Sequence, residues 1–237
     1  MSLWKRLFGT PRAAAPQSTV ATSLAERRAS SEYKHDPFIA SCLDVNHREL
    51  NDDRWFSHFK ELPQIDALRK SGKTQEALSL CRKGLERYPD SFLFYKRAAD
   101  LWNELNKPDE AEQLLKEGLS RSLSKCSIAG ALADRAFAKG DYRDAIRWWI
   151  TAGVLQLESK IMVDKMPFLN LAYVCQPLGI KDTEHWLLGM ADRASSQGPI
   201  RFNSEGAELR HRVARAAMAA GDDAAQHAII AFHEKYK

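Results

Sequence analysis

Apolar residues along the middle of the chain fall three and four apart, the spacing of one helix face rather than the alternation of a strand. In "LPQIDALRK" Ile65 and Leu68 stand at that spacing, with no β-branched apolar run beside them. The stretch that follows, "GKTQEALSLCRKGLE" from Gly72, recurs as "NKPDEAEQLLKEGLS" from Asn106 and as "GDYRDAIRWWITAGV" from Gly140. The period is 34 residues both times (106 − 72 and 140 − 106). Ala77, Ala111 and Ala145 fall in register, as do Gly84, Gly118 and Ala152. Small side chains at both places let two helices approach closely, and Gly or Asn at the head of each stretch suits the left-handed residue that ends a helix. Each unit is therefore predicted to be helix, turn, helix.

Gly72, Lys73 and Thr74 also read as the end of a phosphate-binding loop. That motif needs glycine at position 67, because only glycine dihedrals there turn the N–H groups toward phosphates. The residue is Ala67, and no buried strand precedes it, so the stretch reads as a turn between helices.

The repeating unit resembles the tetratricopeptide repeat, which reads W-x-x-L-G-x-x-Y, then A-x-x-x-F, then P over 34 residues. Residues 92–125 match best, with Tyr95, Ala98, Ala99 and Trp102, then Ala111 and Leu115. The preceding copy has Ile65, Leu68, Ala77, Cys81 and Pro89, with Glu61 in place of the opening aromatic; the following one has Leu132, Ala133, Ala136, Ala145 and Trp149. Further on, Phe168, Leu171, Ala172 and Cys175 hold the right relation to Gly179, which lies 39 residues after Gly140 (179 − 140). A fourth helix pair is expected there, and a divergent fifth around Gly221, with Ala228 and Phe232 four apart. The resemblance covers about residues 58–237. It implies an all-α fold, a right-handed α-solenoid whose concave groove is lined by the first helix of each pair. The organisation expected is a flexible basic tail over 1–31, a capping segment over 32–57, three repeats over 58–159, and divergent pairs with a C-terminal cap over 160–237.

The same resemblance designates the groove-facing positions. They are Phe59, Leu62, Asp66, Arg69 and Lys70 in the first unit, Leu93, Lys96, Asp100, Asn103 and Glu104 in the second, and Ser127, Gly130, Asp134, Phe137 and Ala138 in the third. Asp66, Asp100 and Asp134 recur at one position. A row of carboxylates could hold Lys or Arg of an extended partner segment; the plainer alternative pairs each with Arg69, Arg97 or Arg135 to keep helices in register. Family members that clamp a C-terminal carboxylate need Lys and Asn where this chain has Leu62 and Asp66, and a Lys where it has Ser127, so that ligand is disfavoured. In the fourth unit Met166, Leu169, Tyr173 and Gln176 are assigned to the inner face, an apolar patch for a partner helix, a strand or the chain's own N-terminal segment. Tyr95, Trp102, Trp148, Trp149 and Trp186 are read as core.

Charge sharpens this picture. The 237 residues carry 35 basic and 31 acidic side chains, a net +4. Lys5, Arg6, Arg12, Arg27 and Arg28 against Glu26 alone account for the whole excess. The remainder is neutral, which argues against nucleic acid as partner and makes an RNA-binding solenoid the weakest alternative. In "MSLWKRLFG" Leu3, Trp4, Leu7 and Phe8 share one side of a short helix, with Lys5 and Arg6 on the other; an Ala-, Ser-, Thr- and Pro-rich stretch follows. That element reads as a membrane or partner docking segment on a tether, as a disordered tail, or as an organelle transit peptide. The segment with Phe38, Ile39 and Leu43 is expected to cap the first repeat or to fill the groove, and the first solenoid helix to begin near Asn51 or Asp52.

Nothing points to a cofactor. The four scattered cysteines suit reduced thiols, and His35, Cys42, His47 and His58 match no metal-ligand spacing. No hydrolase, metalloprotease or dinucleotide-binding motif is present, and the Asp pairs at 52–53 and 222–223 sit where Asp caps helices or shapes turns. No apolar run approaches the roughly 20 residues that span a bilayer. The sequence reads as a non-catalytic scaffold or adaptor that binds a protein segment, cytoplasmic or peripheral to a membrane.

Overall fold

The computed structural model describes residues 37–43, 60–160, 162, 164–194, 204–219 and 223–237. Those residues form eleven α-helices and no strand. In chain order they are α1 (Pro37–Leu43), α2 (Glu61–Lys70), α3 (Thr74–Arg87), α4 (Phe92–Glu104), α5 (Pro108–Arg121), α6 (Lys125–Ala138), α7 (Tyr142–Ser159), α8 (Met166–Leu178), α9 (Lys181–Arg193), α10 (Ser204–Ala219) and α11 (Asp223–Tyr236). All belong to the compact unit Asp36–Lys237. The basic tail, the start expected near Asn51 or Asp52 and the turn at Gly221 lie outside the described residues.

The repeat is written in the turns. Gly72, Asn106, Gly140 and Gly179 each take a positive φ, of 75°, 56°, 79° and 69°. At each, two amide groups close the preceding helix: Gly72 N donates to Arg69 O and Lys73 N to Leu68 O, and the same pair of bonds recurs at Asn106, Gly140 and Gly179. This is the double hydrogen bond that satisfies carbonyls a helix end would leave bare. The Gly-Lys-Thr stretch is thus an inter-helix turn. Pro108 opens α5, where its missing N–H costs nothing, and Asp141 caps α7 by accepting from Asp144 N at 3.0 Å.

Consecutive helices pack on one another from α2 to α7, and α4 also touches α2 and α6. The in-register small residues do what their size allows. A Cβ at Gly84 would sit 2.3 Å from the Phe94 ring, and one at Gly118 would sit 2.8 Å from the Tyr95 ring. Tyr95 and Trp149 are buried, and Trp102 lies half-buried against the core of Ile65, Leu78, Cys81, Phe94 and Leu101. The four cysteines remain thiols and all are buried; burial pushes those of Cys42 and Cys81 up to about 12.

After α7 the regular stacking ends. This helix has 18 residues against 14 in α3 and α5, which accounts for most of the wider spacing before Gly179. Buried Gln156 then pins the connection, donating to Asp164 O at 2.9 Å and accepting from Asp164 N at 2.7 Å. Next, α8 packs on α7 and α9, and α10 lies on α8, while α11 turns back onto α7 and α9. Phe232 of α11 reaches the notch at Gly153, stacking 6.4 Å from Phe168 and meeting Trp186 edge-on at 5.3 Å. The described part of the expected capping segment lies elsewhere. The segment bearing Phe38 and Leu43 packs on α7 and α11 rather than capping the first repeat or filling the groove.

Candidate functional site

Helix periodicity brings part of the designated set together. Lys96, Asp100 and Asn103 lie four and three apart on α4, and Ala131, Asp134 and Ala138 three and four apart on α6. Side chains at these offsets share a face. The two faces wall a concavity of about 670 Å³, with Pro108 and Leu115 of α5 also lining it.

Much of the charge around this concavity is already matched across repeats. Arg97 meets Asp66 at 2.9 Å, so the first Asp of the row is tied to the next unit's helix. Arg69 pairs with Glu104 and stands 3.8 Å from Asp100. Arg135 donates to Asn103 Oδ1 and to the Pro108 carbonyl, and Lys139 reaches Glu112 at 2.6 Å and Asp109 at 3.4 Å. Lys116 and Lys139 hold the Glu112 carboxyl down at about 2. Such half-exposed pairs fix register more than they stabilise, each contributing about 0–1 kcal/mol.

Two charges stand apart from this ladder. Among the described residues neither Lys96 nor Asp134 has an ion-pair partner within 4 Å. Asp134 is open to solvent at the mouth of the concavity, yet protein on its other sides strips enough hydration to raise its pKa. Lys96, Arg210 and the Trp149 indole work against that rise, and Asp164 adds to it. Burial likewise raises Asp100, opposed by Arg69, Arg97 and Lys96.

The rest of the designated residues fall elsewhere. Lys70 is exposed at the end of α2 and does not line the concavity. Phe137 is half-buried among the rings of Tyr142 and Trp149, with the Arg210 guanidinium 5.4 Å from its centre. Tyr173 is only 3% exposed, because α10 covers the face of α8 that was assigned to the groove. There Arg210 donates to Asn170 Oδ1 at 3.0 Å, and His211 Nε2 lies 2.9 Å from Gln176 Oε1. The chain's own helix therefore occupies that patch. No repeat register links α10 to α6, so the sequence pattern does not bring Arg210 to Phe137. Leu3, Trp4, Lys5, Arg6, Leu7 and Phe8 lie outside the described residues.

Comparison with known proteins agrees with the geometry. The family model described as tetratricopeptide repeat matches residues 68–122, from within α2 to just past α5. No curated protein and no solved structure matches the chain. The concavity opens against helices of that matched stretch, which is similar to the tetratricopeptide repeat.

Proposed function

We propose that the protein is a non-catalytic interaction module that takes an extended segment of a partner protein in the concavity between α4 and α6. Tetratricopeptide repeats point to a protein-interaction role. The observation that carries the reading is the pair Lys96 and Asp134, which among the described residues have no ion-pair partner within 4 Å and face a space of about 670 Å³ while their neighbours are matched across repeats. A segment offering a cation to Asp134 and an anion to Lys96 would complete both contacts, each stronger in the partly enclosed groove than on open surface. Polar complementarity of this kind gives specificity more than affinity. The N-terminal Leu3, Trp4, Leu7 and Phe8, backed by Lys5 and Arg6, supply a second contact in this reading, with an anionic membrane surface. No described helix is long and apolar enough to cross a membrane.

The test is capture of partners from a lysate of the source cell by the full chain, by Asp134→Lys, by Lys96→Glu and by a chain lacking residues 1–31, with circular dichroism as the folding control. One protein should be retained by the full chain and by the shortened one, and lost from both charge reversals. Lys70→Glu, outside the concavity, should retain it. Identical captures by the full chain and both reversals would remove the groove from the reading.

A further inference from the structure

Asp134 stands on a ridge of α6. Ala131 and Ala138, three residues before it and four after, face the concavity, whereas Gly130 and Phe137, four before and three after, form the adjoining stripe of the same helix. On that far side the Arg210 guanidinium of α10 lies 5.4 Å from the centre of the Phe137 ring, one helical turn from Asp134. On the near side Lys96 of α4 shares the concavity with Asp134. One carboxylate is thus flanked by two cations, neither within ion-pair distance, and both oppose the rise that burial causes in its pKa.

Arg210 is fixed in this place. Its Nε donates at 3.0 Å to Oδ1 of Asn170, a residue 1% exposed, and its Nη1 reaches the Gly206 carbonyl one turn back at 3.4 Å. Neither acceptor is charged, and among the described residues no carboxylate lies within 4 Å of Arg210. Asp164 meets the stripe at its other end, with Oδ2 3.6 Å from where a Cβ of Gly130 would sit, two turns of helix from Phe137.

A cation brought alone to Asp134 would therefore meet Lys96 on one side and Arg210 on the other, and like charges set side by side cost affinity. A ligand that carries an anion on each side of its cation turns both repulsions into contacts. In an extended segment, side chains two residues apart face the same way and stand about 7 Å apart. Long Glu and Lys side chains can bridge from that spacing to the roughly 8–10 Å between packed helices.

We propose that the groove selects an extended acidic–basic–acidic segment, in which Lys96 takes one acidic side chain, Asp134 the basic one and Arg210 the other, at alternate residues of the ligand. The inference rests on the groove reading above. Arg210 is then a specificity-determining residue supplied by α10, a helix that the repeat pattern does not bring to the groove.

The test is fluorescence anisotropy of the full chain with short labelled peptides of Ser and Thr that carry Glu, Lys and Glu at alternate central positions. Replacing either Glu by Ala should weaken binding about fivefold or more. Arg210→Gln should lose the preference for Glu over Ala at one end only, and Lys96→Gln at the opposite end. Arg210→Lys, which keeps the charge, should keep the preference, with circular dichroism as the folding control for all three variants. If Arg210→Gln weakens every peptide equally and still prefers Glu at both ends, Arg210 is structural and the proposal is overturned. A parent chain indifferent to both end changes, or one that binds none of the peptides at about 1 mM, overturns it as well. Capture of the lysate partner by Asp134→Lys separates the two failures: a partner still lost with that change leaves the groove reading standing without the acidic–basic–acidic rule, whereas a partner retained removes both.

Discussion

A methyl group added at Gly84 would lie 2.3 Å from Cε1 of Phe94, a ring that is fully buried and has no room to retreat. Alanine gains roughly 1 kcal/mol over glycine in a helix, but overpacking of this kind costs about 1–3 kcal/mol or more. Gly84→Ala should therefore lower stability by about 1–2 kcal/mol. Gly189, on α9, has nothing within 4 Å of a new Cβ and no positive φ, so there alanine should raise stability by up to ~1 kcal/mol. Gly72 also faces open space but sits at φ 75°, where a Cβ costs about 1–2 kcal/mol. Urea midpoints should place Gly189→Ala above the parent chain and the other two below it. If Gly84→Ala matches Gly189→Ala, close approach of α3 and α4 is not what the glycine provides.

Among the elements, α11 depends most on one side chain. Phe232→Ala removes the ring that meets Phe168, Trp186 and the notch at Gly153, and should cost about 3–5 kcal/mol. Hydrogen exchange should rise first in α11 and in α1, which lies on it, and leave α2 to α5 unchanged; a uniform rise would show that α11 is not a separate unit of stability. The same elements mark the limit of what the sequence makes legible. The turns at Gly72, Asn106 and Gly140 and the close contacts at Gly84 and Gly118 could be read because each copy meets the same neighbours, so repeated residue types report repeated contacts. Lys96, Asp100, Asn103 and Asp134 reach one concavity for the same reason, while their role rests on the proposal above. Phe38 and Cys42 reveal that α1 has an apolar face but not that α7 and α11 receive it. Tyr173 shows the converse: its register is that of a groove residue, but α10, remote in sequence, covers it.

Across the described helices, charges mostly cancel between repeats, and the pH response should separate a matched carboxylate, Glu112, from an unmatched one, Asp134. Glu112, held at about 2 by Lys116 and Lys139, contributes stability that is present above its unfolded pKa of about 4.3 and is lost as pH falls toward 2. Asp134 has the opposite sign. Burial raises its pKa above the unfolded value of about 3.9, so the folded state binds the proton more tightly than the unfolded one. Its ionised form therefore costs stability above the folded pKa, and the cost fades as pH falls through that value to the unfolded one. Asp134→Asn keeps the shape and removes the charge. It should raise the thermal midpoint at pH 7, with the gain shrinking to nothing below about pH 3, where Asp134 is protonated in both states. The same variant should retain less partner. More stability with less binding is the signature of a residue kept for function at the expense of the fold. A lowered midpoint at pH 7 would instead assign Asp134 to the structure, through Lys96, Arg210 or Trp149, and the groove would lose the anionic contact on which its proposed role rests.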